Sequence, residues 1–269
     1  MLTRRGTVLV TGASSGIGRE CARLFAGRGF QVFGTSRRER PDTDGVRMLR
    51  MDVTSPASVD EAVGEVLARC GGIDVLVNNA GVMHEGFAEE TTPAEAEAVF
   101  AVNLFGAVRV TDAVLPGMRD RRRGAIVNVG SLAAWVGEPG EAFYAASKAA
   151  LARYTEALRH EAAHCGIAVS LVEPGAFTTG VVAASTRSTA AIADYDGPRE
   201  SARHTLHEGL RRGADPRRAA AVVVRAACAR SPRFRYGAGT EAVWLPALRV
   251  LMPQRLFDRL LRRSFGLPR

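Results

Sequence analysis

Three observations in this sequence predict an α/β fold, a doubly wound parallel sheet flanked by helices. Short apolar runs such as 73–77 (IDVLV) and 124–130 (GAIVNVG) read as strands buried on both faces. Stretches of helical periodicity alternate with them, beginning with Ile17, Cys21, Leu24 and Phe25. The first strand meets its helix through a glycine-rich turn. At 269 residues, 46% hydrophobic and 24% charged, one domain with an ample core is expected.

In chain order, residues 7–11 (TVLVT) form an apolar run that stops at Gly12, and helical periodicity follows over 16–29. The turn between them reads Thr11-Gly12-Ala13-Ser14-Ser15-Gly16-Ile17-Gly18, a TGxxxGxG pattern. Glycines here let backbone approach a pyrophosphate and seat it on a helix N-terminus, whose unpaired N–H groups and dipole attract negative charge. By itself the pattern also fits a plain tight turn. The next strand, Gln31–Ser36, ends where a Rossmann-type fold reads the adenosine ribose. An acid there would take the 2′-hydroxyl. This chain has Ser36 followed by Arg37 and Arg38, which argues for a 2′-phosphate and so for NADP(H) over NAD(H).

Residues 46–53 (VRMLRMDV) alternate like a strand and finish in Asp52 and Val53, with Asp52 placed to accept from the adenine amino group. Ser55-Pro56 then opens a helix, a cap followed by proline at the first helical position. The run 73–77 leads into Asn78-Asn79-Ala80-Gly81, where asparagine can pair with backbone or cofactor and small residues permit close approach. Thr92-Pro93-Ala94-Glu95 is a capping box for one long helix that contains Asn103 and runs to about residue 118. A mid-helix asparagine either faces solvent or has a polar task. Residues 124–130 deliver Ser131, and 167–172 (IAVSLV) end in Glu173-Pro174-Gly175.

The stretch from Ser131 to Lys148 holds the chemistry. With 144–164 helical, Tyr144 and Lys148 are spaced i, i+4 and stack on one face. An ammonium beside a phenol favours the phenolate and lowers a pKa that is about 10 unperturbed. Of 36 basic Lys and Arg residues, 35 are arginine and Lys148 is the single lysine. A compact ammonium suits a site that must reach a phenol and sugar hydroxyls together. A bare YxxxK fits a core aromatic and a solvated lysine equally well, so the neighbouring motifs decide.

TGASSGIG, NNAG, Asn103, Ser131, YAASK and PGAFTT occur in the order and approximate spacing of the short-chain dehydrogenase/reductase superfamily, and the chain resembles that family over about residues 5–180. The resemblance implies a Rossmann-like single domain with about seven parallel strands and an NAD(P)-dependent reaction at a C–OH or C=O centre. It implies that Tyr144 donates and accepts the proton, that Lys148 binds the nicotinamide ribose and lowers the tyrosine pKa, and that Ser131 bonds the substrate oxygen. Asn103 would hold a water that contacts Lys148. Thr11, Gly12, Ser14, Ser15, Gly16, Ile17 and Gly18 would cradle the phosphates. Arg37 would meet the ribose phosphate, and Asp52, Val53, Asn79, Ala80 and Gly81 would lie near adenine and its ribose. Pro174, Gly175, Phe177 and Thr179 would border the nicotinamide. The region around the tyrosine is most similar to hydroxysteroid- and retinol-dehydrogenase-type members. Leu132, Trp135, Val136, Phe143 and Phe177 flank the chemistry, and a hydrophobic carbonyl or alcohol substrate is expected. The alternative is a catalytically silent dinucleotide-binding regulator.

Other classes fit poorly. A net charge of +8 suggests nucleic acid, but the arginines are dispersed and no DNA-reading motif accompanies them. Cys21, Cys70, Cys165 and Cys228 are far apart and none forms CxxC, so isolated thiols in apolar sites are expected, without disulfides or zinc. His160-Glu161-Ala162-Ala163-His164 spells HExxH, yet it lies roughly 24 to 30 Å along the helix from Tyr144, on the opposite face, and no further ligand motif follows it. No metal is expected. No stretch reaches eighteen apolar residues, and a cytoplasmic protein is expected, as a homo-oligomer (dimer or tetramer) by analogy with the family. Residues 180–213 would form a mobile substrate lid. Residues 240–269 form a tail, expected to be a basic amphipathic helix over 245–265 that lies on a membrane, lids the pocket or packs on another subunit, packing being the commoner use.

Overall fold

The computed structural model describes residues 6–179 and 185–267. From the N-terminus come β1 (Thr7–Val10), α1 (Gly16–Ala26), β2 (Gln31–Ser36), β3 (Val46–Arg50), α2 (Pro56–Cys70) and β4 (Val75–Asn78). A two-residue strand β5 (His84–Glu85) precedes α3 (Pro93–Asn103), α4 (Phe105–Asp120), β6 (Gly124–Val129), α5 (Ala142–Ala163) and β7 (Ile167–Pro174). The chain ends with β8 (Thr186–Arg187), α6 (Asp196–Arg211), α7 (Pro216–Ala227), β9 (Arg235–Ala238), α8 (Glu241–Leu251) and α9 (Gln254–Ser264).

Seven strands form one parallel sheet in the order β3-β2-β1-β4-β6-β7-β9, the expected doubly wound Rossmann-like architecture in a single domain. Alternation along each strand divides the core in two. Val8, Val10, Val75 and Val77 point with Phe25 and Val223 into the layer under α1 and α7. Leu9, Leu76 and Ile126 point the other way, with Val63, Val110 and Leu158, into the layer under α2, α4 and α5. Both faces are therefore covered, and the strands read as apolar runs for that reason.

Capping follows the sequence closely. Ser55 accepts from Ser58 N, and Thr92 with Glu95 forms the reciprocal capping box. Asp215 accepts from Arg217 N and sets the start of α7 at Pro216.

Three expectations change. The single helix from Thr92 to residue 118 is two helices broken at Leu104 (φ −110°, ψ −66°). Asn103, at the last turn of α3, turns its amide into the neighbouring loop, and Gly106 passes so close to Val53 that a Cβ would lie 2.7 Å from Val53 Cγ2. The tail is also two helices, split at Met252-Pro253, where Met252 takes the extended backbone (ψ 134°) that a residue before proline favours. The segment expected as a lid contains α6, and its β8 pairs in parallel with β5. Residues 180–184 of it lie outside the described residues. Cys228 is exposed and not in an apolar site, whereas Cys21 and Cys165 are buried.

Candidate active site

The C-terminal ends of β1, β4, β6 and β7 open into one cleft of about 1160 Å³, and the motif residues line it. This is where an open parallel sheet offers a crevice to ligands. Gly12 (φ +65°) and Gly16 (φ +53°) hold left-handed backbone, and a Cβ on Gly12 would sit 2.9 Å from Ala80 Cα. A Cβ on Gly18 would run into Asn79 Nδ2 and the Gly12 carbonyl. Thr11 Oγ1 accepts from Asn79 N (3.0 Å) and Ala80 N (2.9 Å), and Asn79 Nδ2 donates to the carbonyls of Thr11 (2.9 Å) and Gly12 (3.1 Å). These bonds tie the first turn to the end of β4.

Ser15 caps α1 only in name, with extended backbone and no side-chain bond to the helix. The first N–H groups of α1 therefore face the cleft, and together with a turn too tight for side chains they fit a dinucleotide pyrophosphate. Ser14, Ser15 and Ile17 line the same wall. At the adenosine end, Arg37, Arg38 and Arg40 all reach the cleft beside Ser36, one cation more than the Arg37 and Arg38 expected there. Asp52 and Val53 line it as well. The Asp52 carboxyl is held below the usual range by hydrogen bonds from Thr54 N and Oγ1 and by the Arg37 and Arg109 charges.

Ser131, Tyr144 and Lys148 line the same cleft. Ser131 leaves β6 as the cap of a short 3-10 turn and lies within hydrogen-bonding reach of the phenol. Lys148 is buried, its Nζ 5.9 Å from the Tyr144 ring centroid and donating to Val129 O at 3.0 Å. Burial lowers the Lys148 pKa to about 8. The expected lowering of the tyrosine is reversed. Burial, reinforced by the carboxylates of Glu141 and Glu138, pushes Tyr144 up to about 12 against the Ser131 hydrogen bond. The ammonium is committed to a carbonyl, and neither of the glutamates was foreseen.

Asn103 is buried, but its amide is occupied: Oδ1 accepts from Val82 N (2.8 Å), and Nδ2 donates to Val82 O (2.9 Å) and Ser147 Oγ (3.0 Å). It pins the loop after Gly81 to α5, one residue from Lys148. Pro174, Gly175, Phe177 and Thr179 line the cleft, as do Ala80 and Gly81. Of the apolar flank, Leu132 and Phe177 line it, whereas Trp135, Val136 and Phe143 do not. Trp135 instead donates to Glu173 Oε1 (2.9 Å) and stacks under Arg235 at 4.7 Å, anchoring the Ser131 loop to β7 and β9.

The substrate side of the cleft is built from segments without a motif: Thr205, Leu206, Gly209 and Leu210 of α6, Trp244 and Leu245 of α8, and Phe265 after α9. Alpha-helical spacing places the four α6 residues on one face. Their only sequence signal is that small-and-apolar pattern among charges. The helix is fixed to the body by Arg199 on Glu90, by Arg203 and His207 on Glu85, and by Tyr195 on Glu89. The histidines of HExxH stand apart from the cleft, exposed at the end of α5, with His164 Nε2 3.3 Å from Cys165 Sγ.

Comparison with known proteins agrees with this geometry. The family model described as short chain dehydrogenase matches residues 6–190. A 3-ketodihydrosphingosine reductase of Bacteroides thetaiotaomicron is 36% identical over 260 residues, 93% of this chain and 97% of that protein. A short-chain dehydrogenase crystal structure from Streptomyces avermitilis superposes with a TM-score of 0.83 at 35% identity, covering 99% of each chain. A short chain dehydrogenase/reductase from Burkholderia phymatum, solved in complex with NAD, does so with a TM-score of 0.81 at 27% identity, covering 97% of each.

Proposed function

The chain belongs to the short chain dehydrogenase family, oxidoreductases acting on carbonyl and CH–OH groups, and within that class we propose that it is an NADP(H)-dependent ketoreductase for hydrophobic ketone/secondary alcohol pairs or aldehydes. One observation carries the reading: Ser131, Tyr144 and Lys148 line the same cleft as the glycine turn and the start of α1. Arg37, Arg38 and Arg40, with Ser36 at the strand end where an acid would take a 2′-hydroxyl, support the phosphorylated dinucleotide. The apolar α6 and α8 wall supports a substrate with a hydrocarbon body.

Bound NADPH supplies the hydride. The chain's part is acid chemistry and charge placement. Ser131 and Tyr144 offer two hydroxyl donors to one carbonyl oxygen. As negative charge grows on that oxygen, Tyr144 passes its proton across, and the Lys148 ammonium one helical turn away offsets the phenolate left behind. Burial keeps Tyr144 protonated well above neutral pH, which suits donation, the reductive direction. Asn103 positions this group through Val82 and Ser147. The expected water would accept from Lys148 and donate to Asn103 Oδ1, both of which lie beside Gly81.

Turnover of a ketone panel with NADPH, followed at the nicotinamide absorbance, tests the reading. Tyr144→Phe should lower kcat by about 10²- to 10⁴-fold with NADPH affinity retained. A silent regulator would bind NADPH and turn over no substrate. We place the protein in the cytoplasm as a dimer or tetramer, which light scattering of the purified chain checks.

A further inference from the structure

We propose that the two-helix tail docks this protein peripherally on an anionic lipid surface, α8 entering the edge of the hydrocarbon and α9 meeting the headgroup phosphates. The chemistry starts from what α8 turns to solvent. Val243, Trp244, Ala247, Val250 and Leu251 are exposed, Val243 by 74%, Val250 by 71% and Leu251 by 81%. At about 100° per residue these five side chains fall within about 120° of the helix circumference. Glu241 and Arg249, the charges of α8, lie outside that arc. A surface helix ordinarily turns its apolar stripe to the core and its charges to water. Here the stripe faces water, and a contiguous exposed apolar patch marks an interaction site.

The charge comes from α9. Arg255, Arg259, Arg262 and Arg263 are exposed at i, i+4, i+7 and i+8, one side of the helix, with Leu256 and Leu260 partly exposed beside them. Phe257, buried on the opposite side, turns that row outward, and the Arg249 guanidinium 4.9 Å from its ring joins α8 to α9. Among the described residues the four arginines have no ion pair, and Asp258, the single acid of α9, accepts from Gln254 Nε2 at 2.6 Å. An apolar stripe beside a row of free guanidinium groups matches hydrocarbon edged by anionic phosphates. A second copy of the chain matches it poorly. Residues 240–269 hold six arginines against Glu241 and Asp258, and a two-fold contact through this face brings that surplus up against itself. Trp244 and Leu245 of α8 and Phe265 after α9 also line the cleft, so docking turns the substrate side toward the bilayer, where molecules with a hydrocarbon body partition. That last consequence rests on the ketoreductase reading, and the docking itself does not.

The test is co-sedimentation of the full chain with phosphatidylcholine vesicles, either pure or containing about one-third phosphatidylglycerol. The native protein should bind the mixed vesicles about tenfold or more tightly, and the emission of Trp244, which needs no variant, should shift to the blue on them. Val250→Ser with Leu251→Ser, which leaves the charge unchanged, and Arg259→Glu with Arg263→Glu should each weaken binding about fivefold or more. Arg217→Glu with Arg218→Glu, an equal change of charge on α7, should leave it within about twofold. No preference for the mixed vesicles or no shift of the emission overturns the proposal. So does an equal loss in the α7 variant, because overall charge then accounts for the binding. A self-associated native chain that the serine variant separates in light scattering also overturns it, because a second copy then covers the face. Binding to vesicles stands apart from the ketoreductase reading, which fails separately if no carbonyl compound is turned over with NADPH.

Discussion

At the scale of single residues the site is governed by desolvation. Tyr144, Lys148 and Glu141 are all shifted toward their neutral forms, to about 12, 8 and 8, because each lost water before gaining a full set of partners. Glu141 gives a measurable consequence. It ionises near 4.5 in the unfolded chain and near 8 in the fold, so its stabilising contribution is complete below about pH 4.5 and is lost as pH rises toward 8. Glu138 and Glu85 face it and press in the same direction, while the lowered Lys148 acts only above about pH 8. Chemical denaturation should therefore show a smaller drop in unfolding free energy between pH 5 and 8 for Glu141→Gln than for the native protein, by on the order of 3 kcal/mol at most. An unchanged slope would show that Glu141 does not carry the shift. At the other end of the cleft, Arg37→Ala should lower the NADPH-over-NADH ratio of kcat/KM by roughly tenfold, with Arg38 and Arg40 sustaining part of it. A ratio that does not move removes that loop from cofactor choice. That Ser131, Tyr144 and Lys148 would share one cleft was expected from the i, i+4 spacing of the last two together with the family resemblance. The sign of the tyrosine shift was not, because it depends on two glutamates and on how much water the fold removes.

At the scale of elements, the dinucleotide wall depends on how tightly α1 leaves β1. Gly18 is the tightest point, since a Cβ there meets the Asn79 amide and the Gly12 carbonyl, both already committed to hold the turn against β4. Gly18→Ala should cost about 1 to 3 kcal/mol of stability by overpacking. It should also weaken NADPH binding, read by fluorescence titration, more than it slows the chemistry at saturating cofactor. If affinity stays native, the cradle tolerates more room than the geometry allows. Local signals such as Ser55-Pro56 and Thr92 with Glu95 announced helix starts within a residue, because a cap is a contact between near neighbours. The break at Leu104 had no such signal. It follows from Asn103 reaching Val82 and Ser147 and from Gly106 meeting Val53, contacts made across the fold.

At the scale of the whole molecule, the cleft joins a wall with motifs to a wall without them. Alpha-helices α6 and α8 and the end of α9 close the substrate side, with Trp244 half exposed over the opening and Ser201 Oγ donating to Phe265 O at 2.7 Å to hold the tail on α6. Trp244→Ala should lower kcat/KM for a ten-carbon ketone about tenfold and for a four-carbon ketone by less, since only the longer chain reaches that wall. Equal losses would place Trp244 in support of the fold. The sequence by itself determined the doubly wound sheet, the strand-end motif residues and their order, because alternation, glycine turns and caps are written in neighbours a few positions apart. Only the tertiary structure decided that the tail divides and walls the cleft, that α6 is latched by Glu85 and Glu90, and that Glu138 and Glu141 act on the phenol. Those outcomes depend on burial and on partners more than a hundred residues away, as with Arg199 on Glu90, and no local pattern encodes a desolvation energy.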